Sequence, residues 1–247
     1  MGSIIYVRPS NEELSFARVA KFHIAELRRY ITVHDIVEEI LDHQQWAEGR
    51  KVLLHPITYP LIGADPSKFE ICQRRLDRMR QRGIRVAGFD VADSDRISDT
   101  AVRVLNVAEF IIVPSTFAKR VFERSGVSPP VFVLPHGISD EFLRPRPKKP
   151  PRSENVKLLA KTKENNDLKL VYFQLMHSGF RKGADIVYRA MKLVQSRRSD
   201  VALVVKRGRL VDPLLKPLRR LKMIEVAGWL SEADLVELLD VCDVALC

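Results

Sequence analysis

The stretch LKLVYFQLMHSGFRKGADIVYRAMKLV occupies residues 168–194 and joins three different patterns. An apolar run typical of a buried strand opens it, and apolar residues at helical spacing close it. The turn between them holds the adjacent cations Arg181 and Lys182, bounded by Gly179 and Gly183. Strand, turn and helix in this order form the repeating unit of α/β proteins with parallel sheets.

The same alternation runs through almost the whole chain. Ten short apolar or β-branched runs are predicted to be strands: 3–7, 30–36, 51–57, 84–89, 109–114, 131–135, 168–175, 201–206, 224–229 and 243–247. Two helices are predicted over 12–30 and 66–82, and a third is capped by Ser115 and buries Phe117, Val121 and Phe122. A fourth follows from the helical spacing of Val187, Ala190, Met191 and Val194, and a fifth begins at the capping pair Ser231 and Asp234. Strict alternation predicts parallel sheets with helices on both faces.

One segment interrupts the alternation and predicts the domain boundary. Residues 144–167, RPRPKKPPRSENVKLLAKTKENND, are rich in proline, lysine and polar groups. Proline removes a backbone donor and fixes φ, so we expect a linker here and not a strand or helix interior. The linker separates two Rossmann-like domains, over 1–143 and 168–247. Ligands of such sheets lie beyond the carboxyl ends of the strands, so two facing sheets would form a cleft.

Composition limits the classes of function. The chain has 247 residues, 46% of them hydrophobic, and no apolar run long enough to cross a bilayer. Three scattered cysteines suit neither a disulfide framework nor a zinc site, and they predict a reduced, cytoplasmic protein. The formal net charge of +10 favours an anionic partner, such as nucleic acid, a phosphorylated small molecule or an anionic membrane face.

The turn at 179–183 has the chemistry of an anion site. A helix N-terminus offers unpaired N–H groups and the positive end of the helix dipole, and Arg181 and Lys182 add full charges. We therefore expect the turn to hold a diphosphate; an ordinary turn with solvated cations is the alternative. The chain contains no G-x-G-x-x-G or P-loop pattern, which disfavours dinucleotide binding and P-loop chemistry.

Several segments add a family resemblance. VPSTFAKRVFERSGVSPPVFVLPHGISDEFLRP (113–145) resembles the end of the N-terminal domain of family 4 retaining glycosyltransferases of the GT-B fold. FQLMHSGFRKGADIVYRAMKLV (173–194) resembles the start of their C-terminal domain, where a Lys-Gly-x-Asp turn binds the diphosphate of the donor. IEVAGWLSEADLVELLDVCDVAL (224–246) resembles the segment that borders the nucleotide base, and GFDVADSDRIS (88–98) looks like archaeal members. The first 60 residues match only by their alternation.

The resemblance implies donor-side roles for nine residues. Lys182 and Gly183 would bind the diphosphate. His177 stands where the family usually has a second cation, so Arg181 could substitute for it, and Lys206 at the end of a predicted strand could reach the same ligand. The other donor-side residues are Gly228 and Trp229 beside the base, and His136 and Gly137 at the hinge.

The acceptor side is less clearly marked. Relatives carry a glycine-rich first turn where this chain has RPSNE (8–12), which makes Arg8 and Ser10 candidates. Asp90 follows a predicted strand with Asp93 close behind, and Asp90 could orient or deprotonate the acceptor hydroxyl. Solvated turn carboxylates are the alternative for both.

The histidines suggest no site of their own. None of the six shows the spacing of metal ligands, so no metal is expected. We expect His23, His34 and His43 on helix or strand surfaces.

The implied reaction is a retaining, metal-independent transfer of sugar from a nucleoside-diphosphate sugar to an acceptor hydroxyl on a sugar or a lipid carrier. It needs no cofactor, because cations and helix N-termini stabilise the leaving diphosphate. The Glu-x7-Glu segment with which the family continues does not follow Cys247. The sequence therefore predicts an incomplete second domain, weak activity at most, and an exposed strand edge that favours self-association.

Three alternatives stay open. A non-catalytic nucleotide-sugar binding module would need no Glu-x7-Glu segment. Nucleic-acid binding draws on the charge and on QRRLDRMRQRG (73–83) and RPRPKKPPR (144–152), but it is disfavoured because no nucleic-acid motif accompanies them. A stripe of four arginines at helical spacing could hold the protein peripherally at the inner face of an anionic membrane. The stripe consists of Arg74, Arg75, Arg78 and Arg82. A solvated helix face is an equally consistent interpretation.

Overall fold

The computed structural model describes residues 2–12, 14–44, 49–58, 61, 66–143, 151–176, 179–208 and 211–246. The chain divides into two compact units, which we call unit 1 (Met1–Gly137) and unit 2 (Ile138–Cys247). Each unit contains one parallel sheet, with six strands in unit 1 and four in unit 2 among the residues described. All ten predicted strands are present, so the predicted α/β class is confirmed.

Unit 1 is built around the six-stranded sheet. Its strands are β1 (Ser3–Arg8), β2 (Thr32–Val37), β3 (Lys51–Leu54), β4 (Arg85–Phe89), β5 (Phe110–Val113) and β6 (Val131–Val133), in the spatial order β2-β1-β3-β4-β5-β6. Its helices are α1 (Ser15–Leu27), α2 (Pro66–Gln81), α3 (Asp99–Leu105) and α4 (Thr116–Arg124), with a 3₁₀ turn at Glu38–His43. Because all the strands are parallel, their carboxyl ends meet at one edge of the sheet.

Side chains alternate between two apolar layers in unit 1. Val7 and Leu54 belong to a core that includes residues of α2, α3 and α4. Tyr6 and Leu53 point to the opposite face and pack with residues of α1, among them Ala20. Burial on both faces explains why these strands appear in the sequence as almost continuous apolar runs.

Gly88 lies in β4 at a point where the core has no room for a side chain. A Cβ there would lie 2.9 Å from Ile111 Cδ1 and 2.9 Å from Ile57 Cγ2. We expect Gly88→Ala to lower the free energy of unfolding by about 1–3 kcal/mol, the usual cost of overpacking a core. Urea denaturation followed by circular dichroism measures this change. The matched control is Gly137→Ala, because a Cβ at Gly137 meets nothing within 4 Å. Equal stability of the two variants would contradict the tight packing of β4.

Unit 2 repeats the plan on a smaller sheet. Its strands are β7 (Lys169–Leu175), β8 (Val201–Arg207), β9 (Met223–Ala227) and β10 (Val244–Leu246), in the spatial order β10-β7-β8-β9. Its helices are α5 (Asp140–Leu143), α6 (Glu154–Asn165), α7 (Ala184–Arg197), α8 (Leu215–Leu218) and α9 (Glu232–Val241). Leu203 packs with residues of α7 and α8 on one face, whereas Val204 packs with residues of α6 and α9 on the other.

Helix α6 corrects the prediction of a linker over 144–167. That prediction is wrong for Glu154–Asn165, where Val156 and Leu159 are buried against the sheet of unit 2. The prolines of the segment end at Pro151, so they do not prevent a helix that begins after Ser153. The boundary between the units lies at Gly137 and not at 143, and residues 144–150 are outside the described ranges.

Helices α4 and α7 bury only some of their apolar residues. The N-cap at Ser115 is confirmed, because Ser115 Oγ accepts a hydrogen bond from the N–H of Ala118 at 3.1 Å. Phe117, however, is 52% exposed, and the buried side chains of α4 are those of Ala118, Val121 and Phe122. The helical spacing of Val187, Ala190, Met191 and Val194 is confirmed by α7, in which Ala184, Val187 and Met191 are buried and Ala190 and Val194 are exposed. The apolar stripe of each helix is narrower than its apolar composition suggests.

Candidate functional site

Five side chains of unit 1 form a cluster of rings: Tyr6, His23, His55, Phe89 and His136. We call it the histidine cluster. His55 directly follows β3, and Phe89 is the last residue of β4, so both lie at the carboxyl edge of the sheet. This edge is where open α/β sheets bind their ligands.

Tyr6 is the polar centre of the histidine cluster. Its side chain is fully buried, and its hydroxyl oxygen lies 2.6 Å from His55 Nδ1 and 3.0 Å from His23 Nδ1. His55 is 2% exposed, and its Nε2 is a buried polar atom that has no hydrogen-bond partner within the described structure. Buried polar atoms without partners are rare in folded proteins, so this atom calls for an explanation.

Phe89 organises the three imidazoles. The His55 ring stacks on it, with 4.2 Å between centroids and 21° between planes. The His136 ring also lies parallel to it, with 5.7 Å between centroids, and His23 meets it edge-on at 5.3 Å. His136, predicted at the hinge, therefore lies beside His23 and His55, which the sequence did not suggest.

Burial keeps these imidazoles neutral. The pKa of His55 is lowered to about 3, mainly by burial and to a lesser extent by the neighbouring His23 and His136. Burial also lowers the pKa of His23 and that of His136. The pKa of Tyr6 is raised far above its ordinary value, first by burial and then by the charge of Asp35. A neutral imidazole at neutral pH can accept a proton or donate one, so the cluster has the chemistry of an acid–base site.

Asp90, the predicted general base, is a buried carboxylate tied to the loop after β3. Its Oδ2 accepts hydrogen bonds from Thr58 N at 3.0 Å and Thr58 Oγ1 at 2.7 Å, and its Oδ1 accepts one from Val91 N at 2.8 Å. Burial raises the pKa of Asp90 to about 6, against the lowering effect of these hydrogen bonds. Its role at an acceptor hydroxyl stays a prediction.

The other predicted acceptor-side residues have partners within unit 1. Arg8 forms a two-point ion pair with Asp35, at 2.9 and 3.1 Å. The Ser10 hydroxyl donates to Glu39 Oε1 at 2.8 Å. Asp93 is exposed. Among the described residues, the ring contacts of the histidine cluster do not include Arg8, Ser10 or Asp93.

The basic turn of unit 2 is closed by its own backbone. The N–H of Gly183 donates to Phe180 O at 3.0 Å, and the N–H of Ala184 donates to Gly179 O at 2.9 Å. Gly183 is the N-cap of α7 and has a φ of 71°, a conformation that strains any side chain. Arg181 and Lys182 are exposed on this turn. His177, another predicted ligand of the diphosphate, lies outside the described residues.

Asp212, in the loop after β8, anchors the turn. Its Oδ2 accepts from the N–H of Gly179 at 2.7 Å, and its Oδ1 accepts from the N–H of Leu214 at 2.9 Å. A Cβ at position 179 would lie 2.5 Å from Asp212 Oδ1, which explains the need for glycine. The position of the turn is therefore set by a carboxylate that the sequence did not single out.

Lys206 connects two strand ends of unit 2. It is 4% exposed, and its ammonium donates to the backbone oxygens of Arg207, at 3.1 Å, and of Gly228. Gly228 has a φ of 87°, and the following Trp229 is 44% exposed. Since β7, β8 and β9 are neighbours, the basic turn, Lys206 and Gly228 all lie along the carboxyl edge of this sheet.

The arginines of α2 do not form a single exposed stripe. Arg75 is largely buried in an ion pair with Glu38. Arg74 and Arg78 instead line a groove of about 520 Å³ together with Ile71 and neighbouring polar residues of α2. The predicted basic face therefore includes three of the four arginines at most.

Sequence reasoning found only His136 among the five members of the histidine cluster and missed Tyr6, His23, His55 and Phe89. The expectation that His23 lies on a surface is wrong, since it is half-buried and bonded to Tyr6; the same expectation is confirmed for His34 and His43. His55 could have been found from its place at the carboxyl end of a predicted strand. Across the described residues, no group of three histidine, cysteine or acidic side chains is arranged to hold a metal ion.

Comparison with known sequences gives one distant relative. No family model matches the chain. "Uncharacterized protein 356" of Sulfolobus islandicus rod-shaped virus 1 is 27% identical over 253 residues, which cover 99% of this chain and 66% of that protein. The chain thus spans slightly less than two thirds of the length of this relative.

Comparison with solved structures shows the fold. An OtsA apo structure has a TM-score of 0.64 and 9% identity, and the match covers 99% of this chain and 77% of the OtsA chain. An S. aureus MnaA–UDP co-structure has a TM-score of 0.55 and 11% identity, and the match covers 99% of this chain and 74% of that protein. The UDP-GlcNAc 2-epimerase of Methanocaldococcus jannaschii has a TM-score of 0.52 and 14% identity, and the match covers 99% of this chain and 78% of that protein. These are folds of the GT-B glycosyltransferase and epimerase type, so the predicted GT-B-like class is confirmed.

Proposed function

We propose that this chain processes nucleotide sugars and, more specifically, that it transfers a sugar from a nucleoside-diphosphate sugar to an acceptor hydroxyl. The observation that carries the proposal is the basic, glycine-bounded turn at the carboxyl end of β7, leading into a helix of 14 residues. It occurs in a chain whose fold is similar, over 99% of its length, to that of a protein solved with UDP.

Unit 2 supplies the donor side in this proposal. Arg181 and Lys182 are exposed beside the N-terminus of α7, so full charges and a helix dipole act on the same diphosphate. Lys206 holds the backbone at Gly228, and the indole of Trp229 is exposed for stacking on a base. His177 is a further candidate ligand of the diphosphate in this proposal.

Unit 1 supplies proton transfer. The imidazoles of the histidine cluster are neutral at neutral pH and lie at the carboxyl edge of the sheet, where His55 Nε2 lacks a partner within the described structure. They are better placed for acid–base chemistry than Asp90, whose oxygens accept three protein hydrogen bonds. We assign the role of base to this cluster and keep Asp90 as a support for the loop that follows β3.

The transfer is retaining and metal-independent in this proposal. The cations of the basic turn neutralise the negative charge that grows on the leaving diphosphate. Because these side chains supply the electrostatic stabilisation, the reaction does not need a bound metal ion. The acceptor is a hydroxyl of a sugar or of a lipid-linked carrier. For a lipid-linked acceptor, Arg74 and Arg78 of α2, which line the groove beside Ile71, are the candidate docking residues of this proposal. No helix within the described ranges is both long and apolar enough to span a bilayer.

The proposal is tested by incubating the chain with a panel of nucleoside-diphosphate sugars, each with and without a mixture of sugar and lipid acceptors. We expect one donor to release its nucleoside diphosphate, detected by chromatography, faster when acceptor is present. Donor binding without any release would instead favour a non-catalytic binding module. The absence of both binding and release across the panel would contradict the proposal.

A further inference from the structure

Tyr6 has one hydroxyl proton and two imidazole nitrogens within hydrogen-bond distance. The proton can lie on the line to only one of them, so the other nitrogen must carry a proton of its own and donate it to the hydroxyl oxygen. If both Nδ1 atoms were bare, one nitrogen lone pair would face the oxygen lone pairs at 3.0 Å or less. If both Nδ1 atoms carried protons, the buried hydroxyl proton of Tyr6 would have no acceptor among its described contacts. Neutral His23 and His55 must therefore be different tautomers.

The difference between the two distances favours one assignment of the two tautomers. Hydrogen bonds from O–H donors are shorter than those from N–H donors. The contact of 2.6 Å is thus the Tyr6 hydroxyl donating to His55 Nδ1, and the contact of 3.0 Å is His23 Nδ1–H donating to the Tyr6 oxygen. It follows that neutral His55 has its proton on Nε2, whereas the Nε2 of neutral His23 is bare.

We propose that Tyr6 is a positioning residue that fixes His23 and His55 in opposite tautomers, so that unit 1 presents one imidazole base, His23 Nε2, and one imidazole donor, His55 Nε2–H. Three elements of the fold hold the arrangement. Tyr6 is in β1, and the N–H of His55 donates to Val7 O of the same strand at 2.9 Å. His23 is on α1, which packs on the sheet face that Tyr6 occupies.

The arrangement also shares charge. When His23 Nε2 takes up a proton, its Nδ1–H becomes a stronger donor to the Tyr6 oxygen, and the Tyr6 hydroxyl becomes a stronger donor to His55 Nδ1. Only bonds to hydrogen change, and the added positive charge stays on the three linked rings. The groups that face them are the rings of Phe16, Phe89 and His136, with Asp35 acting on Tyr6 through its charge.

The unpartnered Nε2 of His55 fits this scheme. In the assigned tautomer it is a buried N–H donor, and an oxygen atom of a ligand would supply the missing acceptor. The donor and the base would then act on one substrate, with His23 removing the proton of the acceptor hydroxyl. This last role rests on the proposed function, whereas the tautomer assignment does not.

The test is a long-range ¹H–¹⁵N correlation spectrum of the full chain with ¹⁵N-labelled histidine at neutral pH, with signals assigned through His23→Gln and His55→Gln. We expect the proton of His23 on Nδ1 and that of His55 on Nε2. Tyr6→Phe removes only the hydroxyl, so His23 should lose its Nδ1–H form. Tyr30→Phe is the matched control, because the Tyr30 hydroxyl is exposed and bonds to Glu26; it should leave both signals unchanged.

The proposal is overturned if the two histidines show the same tautomer in the wild-type chain, or if Tyr6→Phe leaves His23 as it was. The wild-type spectrum decides alone should Tyr6→Phe fail to fold. Where transfer is measurable, Tyr6→Phe should lower kcat tenfold or more and leave the donor KM unchanged. Absence of transfer by every variant would count against the proposed function and leave the tautomer result standing.

Discussion

The Lys182→Ala variant is expected to bind a nucleoside diphosphate ten- to a hundredfold more weakly than the wild-type chain. Lys182 is exposed on the basic turn, one residue before the N-cap of α7. A hydrogen bond to a charged group is worth about 1.5–3 kcal/mol, and each 1.4 kcal/mol is about a tenfold change in affinity. Isothermal titration calorimetry measures the difference directly.

The matched control for this loss is Lys192→Ala. Lys192 is also exposed on α7 but lies further along the helix, so its removal changes the net charge equally without touching the turn. We expect its affinity to stay within about twofold of wild type, because exposed charges beyond a Debye length are screened. Equal weakening by both substitutions would mean that only the overall charge matters. Unchanged binding by Lys182→Ala would remove Lys182 from the site.

Acidification from pH 7 towards pH 4 is expected to destabilise unit 1 through His55. An unfolded histidine has a pKa near 6.5, whereas burial lowers the pKa of His55 to about 3 in the folded chain. Below pH 6.5 His55 therefore binds a proton in the unfolded state but stays unprotonated in the folded state. The stability that His55 contributes is full above pH 6.5 and is lost as the pH falls towards 3, on the order of 3–5 kcal/mol over the whole window.

Two other groups of the site change the shape of this pH dependence. The lowered pKa of His23 acts with the same sign as that of His55. The pKa of Asp90 is raised to about 6, so Asp90 acts in the opposite sense and becomes less costly to bury as the pH falls from 6 to 4. The contribution of His55 must therefore be isolated by substitution.

Urea denaturation of wild type and His55→Phe at several pH values between 7 and 4 isolates the contribution of His55 to the pH dependence of stability. Phenylalanine keeps a ring beside Phe89 but cannot titrate, so the stability of this variant should fall less steeply with decreasing pH. His34→Gln, at an exposed position of β2, should keep the wild-type slope. If His55→Phe and wild type lose stability in parallel, burial of a neutral His55 is not the cause of the acid sensitivity.

The sequence predicts the strands well because parallel strands are buried on both faces and appear as apolar runs. It fails where tertiary contacts outweigh local composition. Glu154–Asn165 is polar and follows a proline-rich stretch, yet Val156 and Leu159 find a core to pack against. Phe117 is apolar but lies on the solvent side of α4, which composition alone does not show.

The two parts of the candidate site differ in how far the sequence predicts them. The basic turn is local, so its glycines and cations can be found in one short stretch. The histidine cluster is not local, because Tyr6 lies 17 residues from His23 and 49 residues from His55. These residues meet only because β3 pairs with β1 on the side opposite β2, a strand order that sequence periodicity does not give.

The proposed function requires that the basic turn of unit 2 binds a nucleoside diphosphate. A ¹H–¹⁵N correlation spectrum of the full chain, recorded while UDP, ADP and GDP are added in turn, tests it residue by residue. We predict that one of the three shifts the amide signals of Gly179, Gly183 and the first turn of α7, and leaves those of α2 in place. Signals that stay still with all three at millimolar concentration, or that move only in unit 1, would contradict it.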